Sequence, residues 1–260
     1  MSGAALSFRG VALARGTRQI LAGVDLALAH GEVLGLVGCN GAGKTTLLRL
    51  ASGVIAPDAG EVRVGEDPVA SLPRRELARR IAVVPQDTSI PFAFRVFELV
   101  LMGRSPHLGT LGFESREDLD RARDALARVG IAALADRSVL SLSGGERQLV
   151  VLARALAQDT PLLLMDEATA FLDLRHRARV LALAREHAAR EGRAALVVSH
   201  DLALAARACD RLALLADGRI DAVGPPAEVL TSERVERVFG LPAQVVAGPD
   251  GAPLIVPTHG

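Results

Sequence analysis

The sequence predicts an α/β fold in which helices cover both faces of a mostly parallel sheet. Short apolar runs rich in Leu and Val indicate buried parallel strands at Val33–Val37, Leu162–Met165 and Ala195–Val198. Segments of helical periodicity separate these runs, and such an alternation of strand and helix is typical of a parallel sheet. A chain of 260 residues is long enough to bury the core of one such domain.

Antiparallel strands are predicted at the flank of this sheet. Leu6–Ala14 and Glu61–Val64 have the composition of strands. Arg211–Val223 is interpreted as a hairpin, because Ala216-Asp217-Gly218 supplies the residues of a tight turn.

The interval between the strand groups has a helical pattern, and its clearest amphipathic segment is Arg116–Val129. We therefore predict a single domain over residues 1–240. In it, a helical subdomain at 88–158 is inserted into a core formed by 1–87 and 159–240. Proline and glycine return from Leu241 onward, so residues 241–260 are expected to form an irregular tail.

Composition argues against several classes of function. Thirty basic residues balance thirty acidic ones, and the aromatic residues are seven Phe with no Tyr or Trp, so nucleic-acid binding is not expected. Charged residues interrupt every apolar run before it reaches the roughly 18 residues of a membrane span. The first residues lack the pattern of a secretory signal, and two cysteines suit a reducing compartment. We expect a cytosolic chain that reaches any membrane through a partner.

A phosphate-binding loop is predicted directly after the first buried strand. Residues 38–45 fit the pattern G-x-x-x-x-G-K-[ST] and precede a helix expected at Thr45–Ala51. The glycines let successive backbone N–H groups face a phosphate, and the helix N-terminus adds partial positive charge. A chance glycine turn is the alternative, and the strand–loop–helix context disfavours it. The predicted ATP-binding residues of this segment are Gly38, Cys39, Asn40, Gly41, Ala42, Gly43, Lys44, Thr45 and Thr46.

Two carboxylates follow the buried strand Leu162–Met165. Asp166 is predicted to bind Mg²⁺, directly or through water, together with the hydroxyl of Thr45. Lys44 is expected to reach the β- and γ-phosphates of ATP. Glu167, one residue further on, is expected to orient and deprotonate the attacking water. A helix N-cap is the other common use of such acids, and the phosphate loop argues against it.

The run Leu142–Glu146, LSGGE, resembles the signature motif of ABC ATPases. Physically it is a second anion site, because Ser143 caps a helix and Gly144 and Gly145 expose backbone N–H groups. A simple N-cap with a flexible hinge is the alternative. Other elements of the family occur in the expected order, and they make that alternative remote.

Three further residues carry the same resemblance. Gln86 is similar to the Q-loop glutamine, which implies contact with Mg²⁺ and the attacking water. His200 matches the switch histidine, which implies contact with the γ-phosphate, although a lone histidine is more often structural. Asp173, in Ala170-Phe171-Leu172-Asp173, resembles the D-loop residue that couples the two subunits of a dimer.

The resemblance extends from about Leu6 to Pro257 and implies a RecA-like P-loop NTPase core, a small antiparallel β-subdomain and a helical subdomain. In this family two cassettes join head to tail. The ATP at Lys44 of one is completed by the signature of the other, here Ser143, Gly144, Gly145 and Glu146. One loop and one signature per chain then imply a homodimer with two composite sites.

The implied partners are two integral membrane permease subunits and a periplasmic or extracellular substrate-binding protein. They would place the chain at the cytoplasmic face of the inner (plasma) membrane. Phe92, Phe94 and Phe97 either fill the core of the helical subdomain or line a groove that receives a short permease helix.

A finer resemblance is to the ATPases of cobalamin, haem and ferric-siderophore importers. It rests on Val96–His107, Ala153–Gln158, the HDLALAAR stretch after Ser199, and the endings Val229–Thr231 and Val238–Gly240. It implies an ATPase that powers import of an iron chelate, haem or cobalamin. The alternatives are the ATPase of another importer type, or of an exporter with separate membrane subunits.

The sequence also departs from the family pattern. Cys39 stands where proline or serine is usual, and the Ala170-Phe171 variant puts the coupling across the dimer in doubt. The family stacks an aromatic on adenine near the register of Ala14-Arg15, where this chain has none. Arg15 is expected to lay its guanidinium plane on the base instead. Because little then reads the base, GTP is expected to be hydrolysed at a rate comparable to that of ATP.

Overall fold

A computed structural model describes residues 3–109, 112–169 and 172–258. Its strands are β1 (Leu6–Arg15), β2 (Arg18–Leu28), β3 (Val33–Val37), β4 (Ala59–Val64), β5 (Asp67–Pro68), β6 (Ile81–Val84), β7 (Leu162–Asp166), β8 (Ala194–Val198), β9 (Arg211–Ala216), β10 (Arg219–Gly224), β11 (Ala243–Ala247) and β12 (Pro253–Pro257). Its α-helices are α1 (Lys44–Ala51), α2 (Arg74–Arg80), α3 (Val96–Leu101), α4 (Arg116–Val129), α5 (Gly144–Ala157), α6 (Leu174–Ala188), α7 (Leu202–Ala208), α8 (Pro226–Val229) and α9 (Ser232–Phe239).

The central sheet has six strands in the order β10-β9-β3-β8-β7-β6, in which β9, β3, β8, β7 and β6 are parallel. The predicted buried strands all belong to it, which confirms the α/β class. β10 closes one edge as the antiparallel arm of the predicted hairpin. Asp217 and Gly218 at its turn have φ of 47° and 72°, the positive values that a tight two-residue turn requires.

Each parallel strand serves two cores, because alternate side chains of a strand point to opposite faces. In β3, Val33 and Val37 belong to the core on the side of α6 and α7, whereas Leu34 and Leu36 pack toward the antiparallel sheet. All five residues of β3 are buried. This two-sided burial explains why the strand is continuously apolar in sequence.

The antiparallel sheet has the order β2-β1-β4-β5 and covers one face of the central sheet. Strands β1 and β4 were predicted from the sequence, whereas β2 was missed. The missed strand does carry a period of two, since Val24, Leu26 and Leu28 are buried and the residues between them are exposed.

Helices α6 and α7 pack against the other face of the central sheet, while α3, α4 and α5 pack with one another and α5 contacts the edge strand β6. α4 has the predicted bounds; Ser115 caps its start, and Gly130 ends it with a φ of 85°. Short 3₁₀ turns at Ala132–Leu134 and Val139–Ser141 lead into α5. The proposed subdomain boundaries stay a prediction. In the described part of the chain, no helix is both long and apolar enough to cross a membrane.

The expected irregular tail is wrong for residues 243–257, where β11 and β12 form an antiparallel hairpin. The prediction rested on the return of proline and glycine, and two of these prolines, Pro253 and Pro257, belong to β12. Both lie at the ends of a strand that has only one neighbour, and proline is tolerated there because no ladder N–H is needed. Gly251, with φ of 77°, turns the chain between the two strands.

Candidate nucleotide-binding site

The phosphate loop connects the end of β3 to the start of α1, as the sequence predicts. Gly43 is the N-cap of α1 and has φ of 108°, a conformation that favours glycine. A Cβ at Gly38 would lie 2.1 Å from the carbonyl oxygen of Leu215. The loop therefore needs glycine at both ends, for backbone conformation at one and for close approach of β9 at the other.

Lys44 lies inside this loop and is only 5% exposed. Its Nζ donates to the carbonyl oxygens of Gly38 at 2.7 Å and Cys39 at 2.9 Å. Burial lowers the pKa of the Lys44 ammonium, while Glu167 and other nearby acidic groups act in the opposite direction. The two carbonyls hold the ammonium where the loop curls, so a phosphate there would meet it directly.

Thr45 and Asp166 form the part of the site that suits a divalent cation. The Thr45 hydroxyl donates to Asp166 Oδ1 at 3.2 Å, and Asp166 is 6% exposed. Burial raises the pKa of the Asp166 carboxyl; the hydrogen bond from Thr45 opposes that shift and the neighbouring Glu167 adds to it. A hydroxyl and a carboxylate are hard oxygen donors of the kind that Mg²⁺ prefers beside phosphates, so these residues fit the predicted metal.

Glu167 is the centre of the candidate catalytic group. Gln86 Nε2 donates to its Oε2 at 2.9 Å, and His200 Nδ1 lies 3.4 Å from the same oxygen. The Glu167 side chain is 15% exposed, whereas that of His200 is 56% exposed. The structure thus brings the three predicted catalytic residues together, and their individual roles stay predictions.

The backbone of Glu167 is strained, with φ of 47°, which is uncommon outside glycine and asparagine. Its N–H donates to the carbonyl of Val198 on β8 at 3.2 Å, which fixes the residue at the end of β7. Such a conformation costs about 1–3 kcal/mol and persists where surrounding contacts enforce it. It aims the carboxylate at the edge of the sheet where the phosphate loop lies.

A cavity of about 450 Å³ joins these groups. Its wall combines loop residues between Asn40 and Thr46 with Gln86 and Glu167, and two residues of β2, Arg18 and Ile20, complete it. Sequence reasoning missed both β2 residues because it missed the strand. The signal that it overlooked was the alternation of apolar residues along β2.

Arg15, the predicted adenine contact, is exposed at the end of β1 and pairs with Arg18 across the hairpin. The residues that line the cavity include Arg18 and not Arg15. The adenine assignment of Arg15 is untested by this geometry and stays a prediction.

The signature residues lie at the exposed N-terminus of α5. Ser143 Oγ accepts the N–H of Glu146 at 3.2 Å, and Glu146 Oε2 accepts the N–H of Ser143 at 2.8 Å. This reciprocal capping box is the predicted N-cap in a stronger form. The hydrogen bonds from Ser143, helped by Arg137, hold the pKa of Glu146 below its usual range. Ser143 and Gly144 are exposed, and Gly145 is half-buried.

Asp173, the predicted coupling residue, is the N-cap of α6. It accepts the N–H of His176 at 2.8 Å, and this bond and the imidazole of His176 lower the pKa of Asp173. Ala170 and Phe171, which carry the D-loop variant, lie outside the described residues.

Cys39 makes a contact that the sequence does not reveal. Its thiol, half-buried, donates to the carbonyl of Val238 in the last turn of α9 at 2.8 Å. A carbonyl in the last turn of a helix lacks an intrahelical partner. The contact therefore ties the phosphate loop to the C-terminal helices.

Comparison with known proteins agrees with this geometry. The ABC transporter family model matches residues 21–170. The hemin import ATP-binding protein HmuV of Gloeobacter violaceus is 48% identical over 260 aligned residues, which cover 97% of this chain and 94% of that protein. The cobalamin import ATP-binding protein BtuD of Halobacterium salinarum is 49% identical over 237 residues, covering 91% of this chain and 58% of that protein.

Solved structures are similar over most of the chain. A metal-chelate type ABC transporter in an inward-facing conformation has a TM-score of 0.84 at 31% identity, with 98% of both chains covered. An Atm1-family ABC exporter with ATP bound has a TM-score of 0.77 at 29% identity, over 88% of this chain and 40% of that one. A dimeric ATP-binding cassette with ADP and Pi bound has a TM-score of 0.76 at 26% identity, over 85% and 98%. Family match, relatives and fold agree: this chain belongs to the ABC transporter family, among its ATP-binding subunits.

Proposed function

We propose that this chain hydrolyses ATP, as a homodimer, to drive an importer for haem, cobalamin or an iron chelate. The observation that carries the hydrolytic part is the convergence of Gln86 and His200 on one carboxylate oxygen of Glu167, beside the phosphate loop. A nucleotide-binding regulator without turnover has no need of such a group.

In the proposed mechanism, backbone N–H groups of the loop bind the β- and γ-phosphates, and Lys44 moves from the carbonyls of Gly38 and Cys39 to the phosphate oxygens. Thr45 and Asp166 would hold Mg²⁺, which supplies charge neutralisation on the phosphates.

Glu167 accepts a proton from the water that attacks the γ-phosphate, while the Gln86 amide keeps its carboxylate in place. His200, exposed beside Glu167, is expected to donate to the γ-phosphate.

The exposure of the signature end supports the proposed homodimer. Ser143 and Gly144 lie at a helix N-terminus that faces solvent in the single chain, and such an end attracts anions. A second copy would place its own phosphate loop against them. The dimeric cassette with ADP and Pi, which shares the fold, supports this arrangement.

The transported substrate is proposed from the relatives. Proteins that are 48% and 49% identical are hemin and cobalamin import subunits, and the solved structure with a TM-score of 0.84 is of a metal-chelate type transporter. The exporter with a TM-score of 0.77 shows that the fold alone does not separate import from export. The importer proposal includes two permease subunits, an external binding protein, and a location at the cytoplasmic face of the membrane.

The permease contact is proposed to include Phe92, which is 65% exposed. Phe94 and Phe97 pack against the core of the helical segment, so for these two residues the core interpretation holds.

A cavity of about 710 Å³ between α1 and α2 is lined by Val54 and shares Gln86 with the nucleotide site. A permease helix bound there would touch the residue that positions Glu167.

Co-purification of the detergent-solubilised complex and reconstitution into vesicles tests this proposal. We expect ATP-dependent uptake of one substrate among haem, cobalamin and a ferric siderophore, and none with Glu167→Gln. Release of a preloaded compound from the cytoplasmic side outward, with no uptake of the three substrates, would contradict import. ATP hydrolysis by the purified chain is measured separately, so that failure of transport and failure of catalysis are distinguishable.

A further inference from the structure

Two residues of β2 face the nucleotide cavity although neither belongs to the phosphate loop. Arg18 and Ile20 are two positions apart on one strand, so their side chains leave the same face of the sheet. Both line the 450 Å³ cavity with Lys44 and Glu167. They also line a neighbouring polar cavity of about 490 Å³, whose wall likewise includes Asn40 and Gly41.

The guanidinium of Arg18 lies beside the loop itself. A Cβ added to Gly41 would lie 3.9 Å from Arg18 Nη2, so the cation is next to backbone that faces phosphate. The other arginine of the second cavity, Arg237, is held by Asp221 at 2.7 Å. Arg18 forms no ion pair with a carboxylate among the residues that the structure describes.

A second observation is the pairing of Arg18 with Arg15. They are directly opposite residues of the β1–β2 hairpin, so both guanidinium groups extend from one face at its end. Like charges directly opposite each other are destabilising, and an anion placed between or beside them removes that penalty. The hairpin end is therefore suited to a polyphosphate.

We propose that Arg18 binds the phosphate chain of the nucleotide from the open side of the loop, opposite Lys44, and that Ile20 packs against the nucleoside. This assignment rests on the proposed ATP-binding function of the site. Arg18 serves nucleotides with different bases alike, because it contacts phosphate, whereas any preference for adenine would arise at Arg15.

Nucleotide affinities of the purified chain test the assignment. Arg18→Ala should raise the Kd for ATP, GTP and ADP by about tenfold, the size expected for loss of a charge-assisted hydrogen bond. Arg18→Lys should recover part of the loss. Adenosine, measured by competition, should bind both variants and the wild type alike. Arg9→Ala is the matched control, since Arg9 is an exposed arginine of the same sheet.

The thermal stability of Arg18→Ala should not fall below that of the wild type, because Arg18 is exposed and its removal relieves the like-charge pair with Arg15. Normal ATP binding by Arg18→Ala, or an equal loss of adenosine and ADP affinity, would overturn the assignment while leaving the ATP site intact. So would a loss confined to Arg15→Ala. Failure of the wild-type chain to bind ATP would overturn the proposed function as well.

Discussion

The phosphate loop and the signature end are both helix N-termini suited to phosphate, but they differ in how completely one chain surrounds them. At the loop, Lys44 and Asp166 are 5% and 6% exposed and Glu167 holds two side-chain neighbours. At the signature end, Ser143 and Gly144 face solvent, and the side-chain oxygen of Ser143 accepts from its own turn.

The two regions therefore differ in whether one chain or two chains supply the groups around the phosphate. The residues proposed for proton transfer and for binding Mg²⁺ lie in the phosphate loop helix and at the ends of strands packed into the core, so a single chain supplies all of them. The signature end is exposed in the single chain, as expected of a proposed anion site that a second copy completes. Changes at the loop should therefore act within a chain, and changes at the signature should act across chains.

The largest effect is expected from Glu167→Gln, which removes the proposed base and keeps the shape of the side chain. ATP turnover should fall by about 10²–10⁴-fold, the range of general-base catalysis. ATP affinity should stay close to the wild-type value, because the loop and Lys44 are unchanged. Steady-state ATPase and equilibrium binding measure the two quantities.

Glu191→Gln is the matched control, since Glu191 is exposed after α6, and its turnover should match the wild type. Size-exclusion chromatography with Mg-ATP should show a trapped dimer only for Glu167→Gln. Near wild-type hydrolysis by that variant would remove Glu167 from the base role.

The next prediction separates the two regions by mixing. Lys44→Ala breaks the loop and Ser143→Arg blocks the signature, and each alone should lower turnover by about a hundredfold. In a mixed dimer one site carries both defects and the other carries neither. A one-to-one mixture should therefore regain about a quarter of the wild-type rate, because half of the dimers hold one intact site.

The control for mixing is the double variant Lys44→Ala/Ser143→Arg. Paired with either single variant, it leaves every composite site defective, so no recovery is expected. An inactive mixture of the two single variants, with subunit exchange verified, would show that the signature does not complete the partner's site.

The grouping of the candidate catalytic residues near the loop was predictable, because each of them follows a parallel strand. Gln86, Glu167 and His200 all come within two residues after parallel strands, and the carboxyl ends of such strands meet at one edge of the sheet. Local patterns thus predicted which residues gather. The positive φ of Glu167 depends on tertiary packing, and so does the approach of Gln86 and His200 to the same Glu167 oxygen. No local sequence pattern contains this information.

The parts that were missed depend on distant neighbours. Cys39 contacts Val238, which is 199 positions away, and nothing near either residue indicates the contact. Arg18 lies near the loop only because β2 packs beside it in the fold, and β2 was not predicted. The tail hairpin was missed for a different reason, since Pro253 and Pro257 are compatible with a strand only at its ends.

A smaller loss of turnover is expected from Gln86→Ala, which tests whether Gln86 holds the carboxylate of Glu167, the proposed general base, in place. The Gln86 amide donates to Glu167 Oε2 at 2.9 Å, so its loss should lower turnover by about tenfold with little change in ATP affinity. Gln86→Glu should lower turnover further than Gln86→Ala, because it places a second negative charge beside Glu167. Equal turnover for both variants would show that the contact does not position the carboxylate.

The smallest effect concerns stability at the signature end. Glu146→Ala removes the capping box and should lower the free energy of unfolding by about 1 kcal/mol at pH 7. Because hydrogen bonds from Ser143 depress the pKa of Glu146, the carboxylate stabilises the native state above the ordinary glutamate pKa of about 4.3. That contribution is lost as the pH falls through the depressed pKa, so the difference between wild type and Glu146→Ala should narrow in acid.

Glu146→Gln, which retains a capping side chain without titrating, should lie between them at pH 7 and show no such pH dependence relative to Glu146→Ala. Urea unfolding of the three proteins at pH 7 and in acid measures this, and a constant gap between wild type and Glu146→Ala would assign the cap to packing instead of charge.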